Sequence, residues 1–172
     1  MRTMRLILLW WLSIGVCFAE VEESQTFTEV PAVKEQTLEL PKYPLPADLV
    51  YFEVKTTRFK YALDTRSLSV GKKDQIARYT VVIESPQGAK TVLYEGIRCD
   101  SRDYKTYAHA GPDQKFHVKQ KPEWESIRSE GAFVYRAELL DYYLCQGAVV
   151  RYKVREILQV LRYPAARHTP DE

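Results

Sequence analysis

The sequence predicts an α+β domain, an antiparallel β-sheet packed by two C-terminal helices and joined to them by one disulfide. Within residues 78–99, apolar residues recur at every second position, as in strands that bury one face. From Gly131 onward they recur at nearly every fourth position, as in amphipathic helices. Strands that precede helices along the chain favour separate sheet and helical layers.

Residues 1–19 have the pattern of a secretory signal peptide. Two arginines precede an apolar run from Leu6 to Val16, and Ala19 offers a small residue for cleavage. The run is shorter than the roughly 20 apolar residues that a membrane anchor needs. A lipoprotein signal at Cys17 is the alternative, although Val16 is larger than the residue usual before a lipidated cysteine. We therefore predict a periplasmic protein, associated with a membrane only if Cys17 is lipidated.

Residues 20–48 form an acidic segment that we predict to be an extended linker. It holds seven acidic residues, two lysines and four prolines, with a net charge of −5. A solvated tail is the favoured interpretation. The alternatives are a spacer from a membrane and a segment that lies across the basic face of its own domain.

The charge balance disfavours nucleic acid as a partner. Cleavage of the signal removes two arginines and leaves 23 basic and 23 acidic residues, of which the part after the linker carries +5. A protein that neutralises many phosphates normally shows a basic excess over the whole chain. We therefore expect no nucleic-acid partner.

The body of the chain, residues 49–164, has the size of one domain, and residues 165–172 form a tail. Residues 49–64 predict one or two strands at the start of the domain. A short turn over 64–68 and a connection over 71–74 then lead into a central hairpin.

The central hairpin is the most clearly patterned part of the sequence. Its first strand, over 78–84, is expected to be buried mainly on one side, and its turn follows from Pro86 and Gly88, which favour the turn conformations. The second strand places Val92 and Tyr94 on one face, with Gly96 as a bulge position. Its other face holds Leu93, Ile97 and Cys99.

After the hairpin, the sequence predicts a third hairpin and the two helices. The third hairpin turns at residues 110–113, and Trp124 is expected to be a core residue against the sheet. The first helix ends near Gly147, a natural terminator, and Pro164 ends the second. The apolar stripe of the first helix is Phe133, Ala137, Leu140 and Leu144, and that of the second is Val150, Val154, Ile157, Leu158 and Leu161.

Two cysteines, Cys99 and Cys145, remain after the signal peptide is removed. In an oxidising compartment such a pair predicts a disulfide, here between the end of the central hairpin and the end of the first helix. It closes a loop of 46 residues, for which chain entropy gives about 4 kcal/mol of stabilisation. The alternative is a reactive thiol assisted by a histidine.

The candidate polar residues are Arg78, Glu95 and Arg98. Strand alternation places Glu95 on an apolar face, where a carboxylate is costly unless it is paired or hydrogen-bonded. We predict a structural ion pair with Arg78 or Arg98. A catalytic acid at Glu95 is the alternative.

No pattern of catalytic or cofactor-binding residues stands out. His109 and His117 flank a Gly-Pro turn, but their spacing matches no zinc signature, so we expect exposed loop histidines, no metal and no cofactor. Neither a Gly-x-Ser-x-Gly motif nor a phosphate-binding glycine loop is present. Six tyrosines are interpreted as half-buried core residues in preference to an interface: Tyr104, Tyr107, Tyr135, Tyr142, Tyr143 and Tyr152.

Several short segments together resemble one family, the cryptic-neisserial-protein-like (CNP-like) family of exported proteobacterial proteins. The resemblance covers about 59–162, and its most specific part is the run Tyr-Glu-Gly-Ile-Arg-Cys at 94–99. The other segments are Arg78-Tyr79, Ser85 to Ala89, Trp124, the helix that leads into Cys145, and Glu156-Ile157 with Leu161-Arg162. The resemblance implies a periplasmic location in a Gram-negative bacterium. The family includes probable lipoproteins, and it has no catalytic residues to carry over to this chain.

These observations predict a non-catalytic binding or structural domain of the cell envelope. Its expected partner is an envelope protein or a cell-wall component, bound through a basic, tyrosine-rich surface. A cell-envelope hydrolase that uses Glu95 or His109 is the alternative function.

Overall fold

The computed structural model describes residues 34–128, 131–151 and 153–163. The predicted signal peptide, the lipidation alternative at Cys17, the first part of the predicted linker, Pro164 and the predicted tail lie outside the described residues. Within the described ranges, no helix combines the length and apolarity needed to cross a membrane.

An antiparallel sheet forms the centre of the fold, as predicted. From β1 to β6, strands that are neighbours in sequence are also neighbours in the sheet, and β7 pairs with β5 beside β6. The strands are β1 (Leu49–Phe52), β2 (Lys60–Val70), β3 (Ala77–Glu84), β4 (Lys90–Arg98), β5 (Asp103–Ala110), β6 (Phe116–Val118) and β7 (Glu125–Ser126). Short connections between successive antiparallel strands account for this simple order.

Local turn chemistry explains both predicted hairpins, which are confirmed. In the β3–β4 turn the N–H of Gly88 donates to the carbonyl of Ser85 at 2.9 Å, and Gly88 adopts φ +85°. The β5–β6 turn is closed by a hydrogen bond from the N–H of Gln114 to the carbonyl of Gly111. These turns place β4 beside β3 and β6 beside β5.

The turn predicted over 64–68 is instead a bulge inside β2. Asp64 pairs with Thr80 and Ser69 pairs with Arg78, so additional residues of β2 lie between these two pairs. The Asp64 carboxylate accepts hydrogen bonds from the backbone N–H groups of Arg66 and Ser67, at 3.3 and 3.1 Å. The sequence signal for a turn thus corresponds to these local hydrogen bonds, but the same strand continues after the bulge.

Two helices follow the sheet, as predicted, but their boundaries differ. Helix α1 (Tyr135–Glu138) continues as π-helical turns over Leu139–Leu144, and α2 spans Val154–Arg162. Between them lies a small hairpin of β8 (Cys145–Gln146) and β9 (Val149–Val150). Gly147, at φ +62°, is therefore a residue of this turn, and α2 begins four residues later than the predicted stripe because Val150 pairs with Cys145.

The main core lies between the sheet and the helical layer. Side chains from both layers are almost completely buried there: Leu63, Tyr79 and Ile97 from the sheet, and Leu139, Leu144 and Ile157 from the helices. Tyr135 and Tyr143 are also buried, so the interpretation of tyrosines as core residues is confirmed for these two positions. Phe133, predicted on the apolar stripe, is 49% exposed.

The predicted disulfide joins the two layers. Cys99 follows β4 directly and Cys145 follows the π-helical turns, and their Cα atoms are 5.8 Å apart. Both cysteines are buried in the main core. The disulfide and the α+β class are therefore confirmed.

The opposite face of the sheet is also covered, and the prediction that β3 buries mainly one side is wrong. Every residue of β3 except Glu84 is buried. The cover is an extended stretch that we call the covering segment, residues 34–45, in which Leu38 packs against Tyr94 and Tyr107. The interpretation of this part of the predicted linker as a solvated tail is therefore wrong.

A bulge in β5 shapes this second face. Tyr94 pairs with Ala108 while Glu95 pairs with Thr106, so Tyr107 is an extra residue on β5. The bulge predicted at Gly96 lies on the neighbouring strand instead. Gly96 serves close packing, because a Cβ there would lie 2.9 Å from the ring of Tyr107.

Candidate functional site

Glu95 lies at the centre of a buried polar network on the core face of β4. Its side chain is 0% exposed, and Oε1 accepts hydrogen bonds from Arg136 Nη2 at 2.6 Å and Thr106 Oγ1 at 2.9 Å. Oε2 accepts hydrogen bonds from the hydroxyls of Tyr135 at 2.9 Å and Tyr79 at 3.2 Å. The Nε of Arg136 lies 3.2 Å from both oxygens. The carboxylate is thus paired and hydrogen-bonded on both oxygens.

The predicted ion pair of Glu95 with Arg78 or Arg98 is wrong. Arg78 pairs with Gly96 across β3 and β4, so its side chain lies on the opposite face of the sheet from Glu95. Arg98 follows Glu95 by three positions in the same strand and also lies on that opposite face. The actual partner, Arg136, comes from α1 and is 41 residues away in sequence.

The surroundings fix the protonation of the groups around Glu95. Burial, together with the charge of Glu95, raises the pKa of the Tyr79 and Tyr135 hydroxyls well above the ordinary value. Burial disfavours the charge of Arg136, but the adjacent Glu95 outweighs this and raises the pKa of the guanidinium. Tyr79 and Tyr135 therefore remain neutral donors, and Arg136 remains a cation.

A cleft lies against Arg136, with a volume of about 580 Å³. The guanidinium carbon of Arg136 is 3.7 Å from the ring centroid of Tyr104 and 4.5 Å from that of Phe133. We call this the arginine cleft, and its lining residues are Tyr104, Glu125, Ser126, Arg128, Phe133 and Arg136. Because Glu95 binds the same guanidinium, the buried network holds one wall of the cleft in place.

Arg78 forms a second buried ion pair, on the other face of the sheet. Its Nη2 is 2.6 Å from Asp74 Oδ2, and both side chains are nearly inaccessible. Asp74 Oδ2 also accepts a hydrogen bond from the backbone N–H of Gln36 at 2.8 Å. Burial raises the pKa of Asp74, but Arg78 and the backbone donors outweigh it, so the pKa lies below its ordinary value. Arg78 therefore fixes a carboxylate that holds the covering segment.

Arg98 belongs to a basic and aromatic cluster that surrounds Glu35 of the covering segment. Oε1 of Glu35 accepts hydrogen bonds from Lys105 Nζ at 2.5 Å and Trp124 Nε1 at 2.8 Å, and Arg98 Nη2 is 3.8 Å away. The Tyr107 hydroxyl donates to Oε2 at 3.2 Å. These five residues are called the Glu35 cluster. Arg98 stacks 4.0 Å above the ring of Trp124, which is partly exposed, so the prediction of Trp124 as a core residue is wrong.

The comparison with family models decides the relationship of the chain. The model of the CNP1-like family matches residues 28–162, most of the sequence. The chain belongs to the CNP1-like family. The resemblance found in the sequence is thereby confirmed. No curated protein and no solved structure matches the chain.

The six-residue run 94–99, which carries the resemblance, contributes side chains to both faces of the sheet in this CNP1-like domain. Its residues alternate along the end of β4, as strand geometry requires. Glu95, Ile97 and Cys99 face the main core, where they provide the buried carboxylate, an apolar side chain and the disulfide. Tyr94, Gly96 and Arg98 face the covering segment.

The two histidines of the CNP1-like domain are exposed, as predicted, but they lie in strands and not in a loop. His109 and His117 are cross-strand partners in β5 and β6, with ring centroids 5.8 Å apart, and His117 Nε2 lies 3.3 Å from Asp113. In the ranges that the structure describes, no group of three or more His, Cys, Asp or Glu side chains is placed to hold a metal ion.

Glu35 gives this CNP1-like domain a testable dependence on pH. Partial burial raises the pKa of Glu35, but hydrogen bonds from Lys105, Trp124 and Tyr107 outweigh it, so the pKa lies below its ordinary value. A carboxylate with a lowered pKa stabilises the folded state above its unfolded pKa, and this contribution is lost as the pH falls through the folded pKa. Glu35→Gln should lower the free energy of unfolding by about 1 kcal/mol at pH 7 and by less at pH 3. Urea unfolding of both proteins at the two pH values measures this.

Glu39→Gln is the matched control, because Glu39 is an exposed glutamate of the same segment. Its free energy of unfolding should stay close to that of the wild type at both pH values. An equal loss for Glu35→Gln at pH 7 and pH 3 would contradict the role assigned to its charge.

Proposed function

We propose that this chain is an exported, non-catalytic binding domain of the cell envelope and that the arginine cleft is its ligand site. The carrying observation is the position of Arg136, held between Tyr104 and Phe133 by the buried Glu95. The volume of about 580 Å³ lies within the range of small-ligand sites. The Cys99–Cys145 disulfide supports export, since cytosolic proteins rarely keep such bonds.

The chemistry of the cleft favours an anionic group attached to a flat or apolar one. A guanidinium binds carboxylates and phosphates with defined geometry, and exposed Arg128 offers such a group, since Arg136 is already paired with Glu95 and Glu125 with Lys119. The rings of Tyr104 and Phe133 offer stacking surfaces beside these charges. A carboxylate-bearing component of the cell wall has this combination, and it is the ligand class that we propose.

The hydrolase alternative has less support from the geometry. A general acid or base must reach the proton that it transfers, but Glu95 has no exposed surface and is bound on both oxygens. His109 does not line the arginine cleft.

Cosedimentation with purified peptidoglycan sacculi at physiological salt tests the ligand. The wild-type protein should sediment with the sacculi, and Arg128→Glu should reduce the bound fraction at least fivefold. Arg155→Glu is the control, because it makes the same charge change at an exposed position on α2 outside the cleft. Absence of binding, or equal losses for the two variants, would overturn the proposed ligand.

Mass spectrometry of the protein purified separately from periplasmic, membrane and cytoplasmic fractions tests export. Cleavage after Ala19 gives a mature chain that begins at Glu20, whereas lipidation would leave a modified Cys17 at the N-terminus. An intact chain that begins at Met1 and is found in the cytoplasm would contradict the proposed location.

A further inference from the structure

The first part of the covering segment contacts the sheet through two side chains with a spacing of three. Among residues 34–40, Glu35 and Leu38 are partly buried and the other five are exposed. Glu35 enters the Glu35 cluster, and Leu38 packs on an apolar patch of Tyr94, Tyr107 and Ala108. The segment thus carries one acidic and one apolar anchor.

The acidic anchor lies in a site that requires an anion. Arg98 and Lys105 both lie over the ring of Trp124, at 4.0 and 4.8 Å from its centroid. Two cations over one ring repel each other, and a negative charge close to both offsets this repulsion. Lys105, Trp124 and Tyr107 all donate to the Glu35 carboxylate, so the donors converge on one carboxylate position.

A backbone contact lies between the two anchors. The N–H of Gln36 donates to Asp74 Oδ2, and Asp74 is itself held by Arg78 at 2.6 Å. Because this contact uses the main chain, it is independent of the side chain that follows the glutamate. The surface therefore recognises a carboxylate, a peptide N–H and an apolar side chain in a fixed order.

We infer that this surface is a docking site for an extended acidic peptide that carries a glutamate and, three residues later, a leucine, presented by another protein. Residues 35–38 of this chain occupy the site in cis. Pro44, further along the covering segment, is buried, which keeps the chain attached when residues 34–40 leave. The site is distinct from the arginine cleft, since the two share no residue.

Occupation in cis predicts competition. A short tether gives the cis segment an effective concentration in the millimolar range, so a peptide added in trans binds poorly until the cis anchors are removed. The basic walls of the site match the negative charge of such a peptide, which makes binding weaker as salt increases.

The test uses the full chain with Glu35→Ala and Leu38→Ala together, titrated with a synthetic peptide of residues 35–41, which carries two glutamates and no basic residue. Binding is measured by calorimetry and by the fluorescence of Trp124. The double variant should bind the peptide at least tenfold more tightly than the wild type. A peptide with glutamine in place of Glu35 and one with alanine in place of Leu38 should each bind at least fivefold more weakly.

Arg98→Ala in the double variant should weaken peptide binding at least fivefold, and Lys115→Ala, an exposed lysine before β6, should leave it unchanged. Circular dichroism and a free-thiol count establish that each variant is folded. If the double variant does not fold, Glu35→Gln alone is titrated with the same peptides and the same expectation. No binding at 2 mM peptide to a folded variant, or binding that Arg98→Ala does not affect, would overturn the inference.

Discussion

Arg136→Met is expected to lower the free energy of unfolding by about 3–5 kcal/mol. The substitution keeps much of the apolar volume of the side chain but leaves the charge of Glu95 buried at 0% exposure without its cation. The hydroxyls of Tyr79, Tyr135 and Thr106 remain as neutral donors, which cannot replace a guanidinium 2.6 Å away. Since domains of this size are stable by only about 5–15 kcal/mol, urea unfolding followed by circular dichroism should show a large shift.

The double variant Glu95→Gln with Arg136→Met separates the charge from the packing. Glutamine removes the buried charge and keeps a carbonyl oxygen that accepts from the tyrosine hydroxyls, so part of the lost stability should return. Arg102→Met is the surface control. Arg102 pairs with Asp141 at 2.8 Å, but its side chain is 54% exposed, and its loss should cost at most about 1 kcal/mol. Equal losses for Arg136→Met and Arg102→Met would refute the assigned role.

The requirement for a partner of Glu95 could be predicted from the sequence, but the identity of that partner could not. Alternation placed a carboxylate on an apolar face, and such a group must be neutralised or hydrogen-bonded. The same alternation places Arg78 and Arg98 on the other face, which was the available signal against them. No local pattern marks Arg136, because its contact depends on how α1 packs on the sheet.

Local turn chemistry made the hairpins predictable, whereas tertiary contacts determined the rest. Gly88 specifies a turn through its own conformational freedom, independently of distant residues. The bulge at Tyr107 has no comparable local signal, because it arises from the pairing of β5 with β4. The shift of α2 to Val154 follows from the pairing of β8 with β9.

The covering segment was the least predictable element. Its acidic, proline-containing sequence has no apolar period, and this composition is typical of linkers. Its position depends on Glu35, Leu38 and one backbone N–H, which meet residues far away in the sequence. The opposite charges of the segment and the domain body were the single sequence feature that pointed to this arrangement.

The double variant Cys99→Ala with Cys145→Ala is expected to lose about 4 kcal/mol of stability. The disulfide closes a loop of 46 residues, and opening this loop restores entropy to the unfolded chain. The loop contains β5, Trp124 of the Glu35 cluster and α1, so the bond limits the separation of the sheet from the helical layer. Thermal and urea unfolding of the wild type and the double variant, both without reductant, measure the difference.

Reduction distinguishes the effect of the bond from the effect of the substitutions. Both cysteines are buried, so replacing their sulfur atoms also removes packing, and this loss remains in reducing buffer. If the crosslink accounts for most of the lost stability, dithiothreitol should lower the stability of the wild type to nearly that of the double variant. It should leave the stability of the double variant unchanged. A wild type that is as stable with dithiothreitol as without it, after a thiol count has shown complete reduction, would mean that the core alone holds the two layers together.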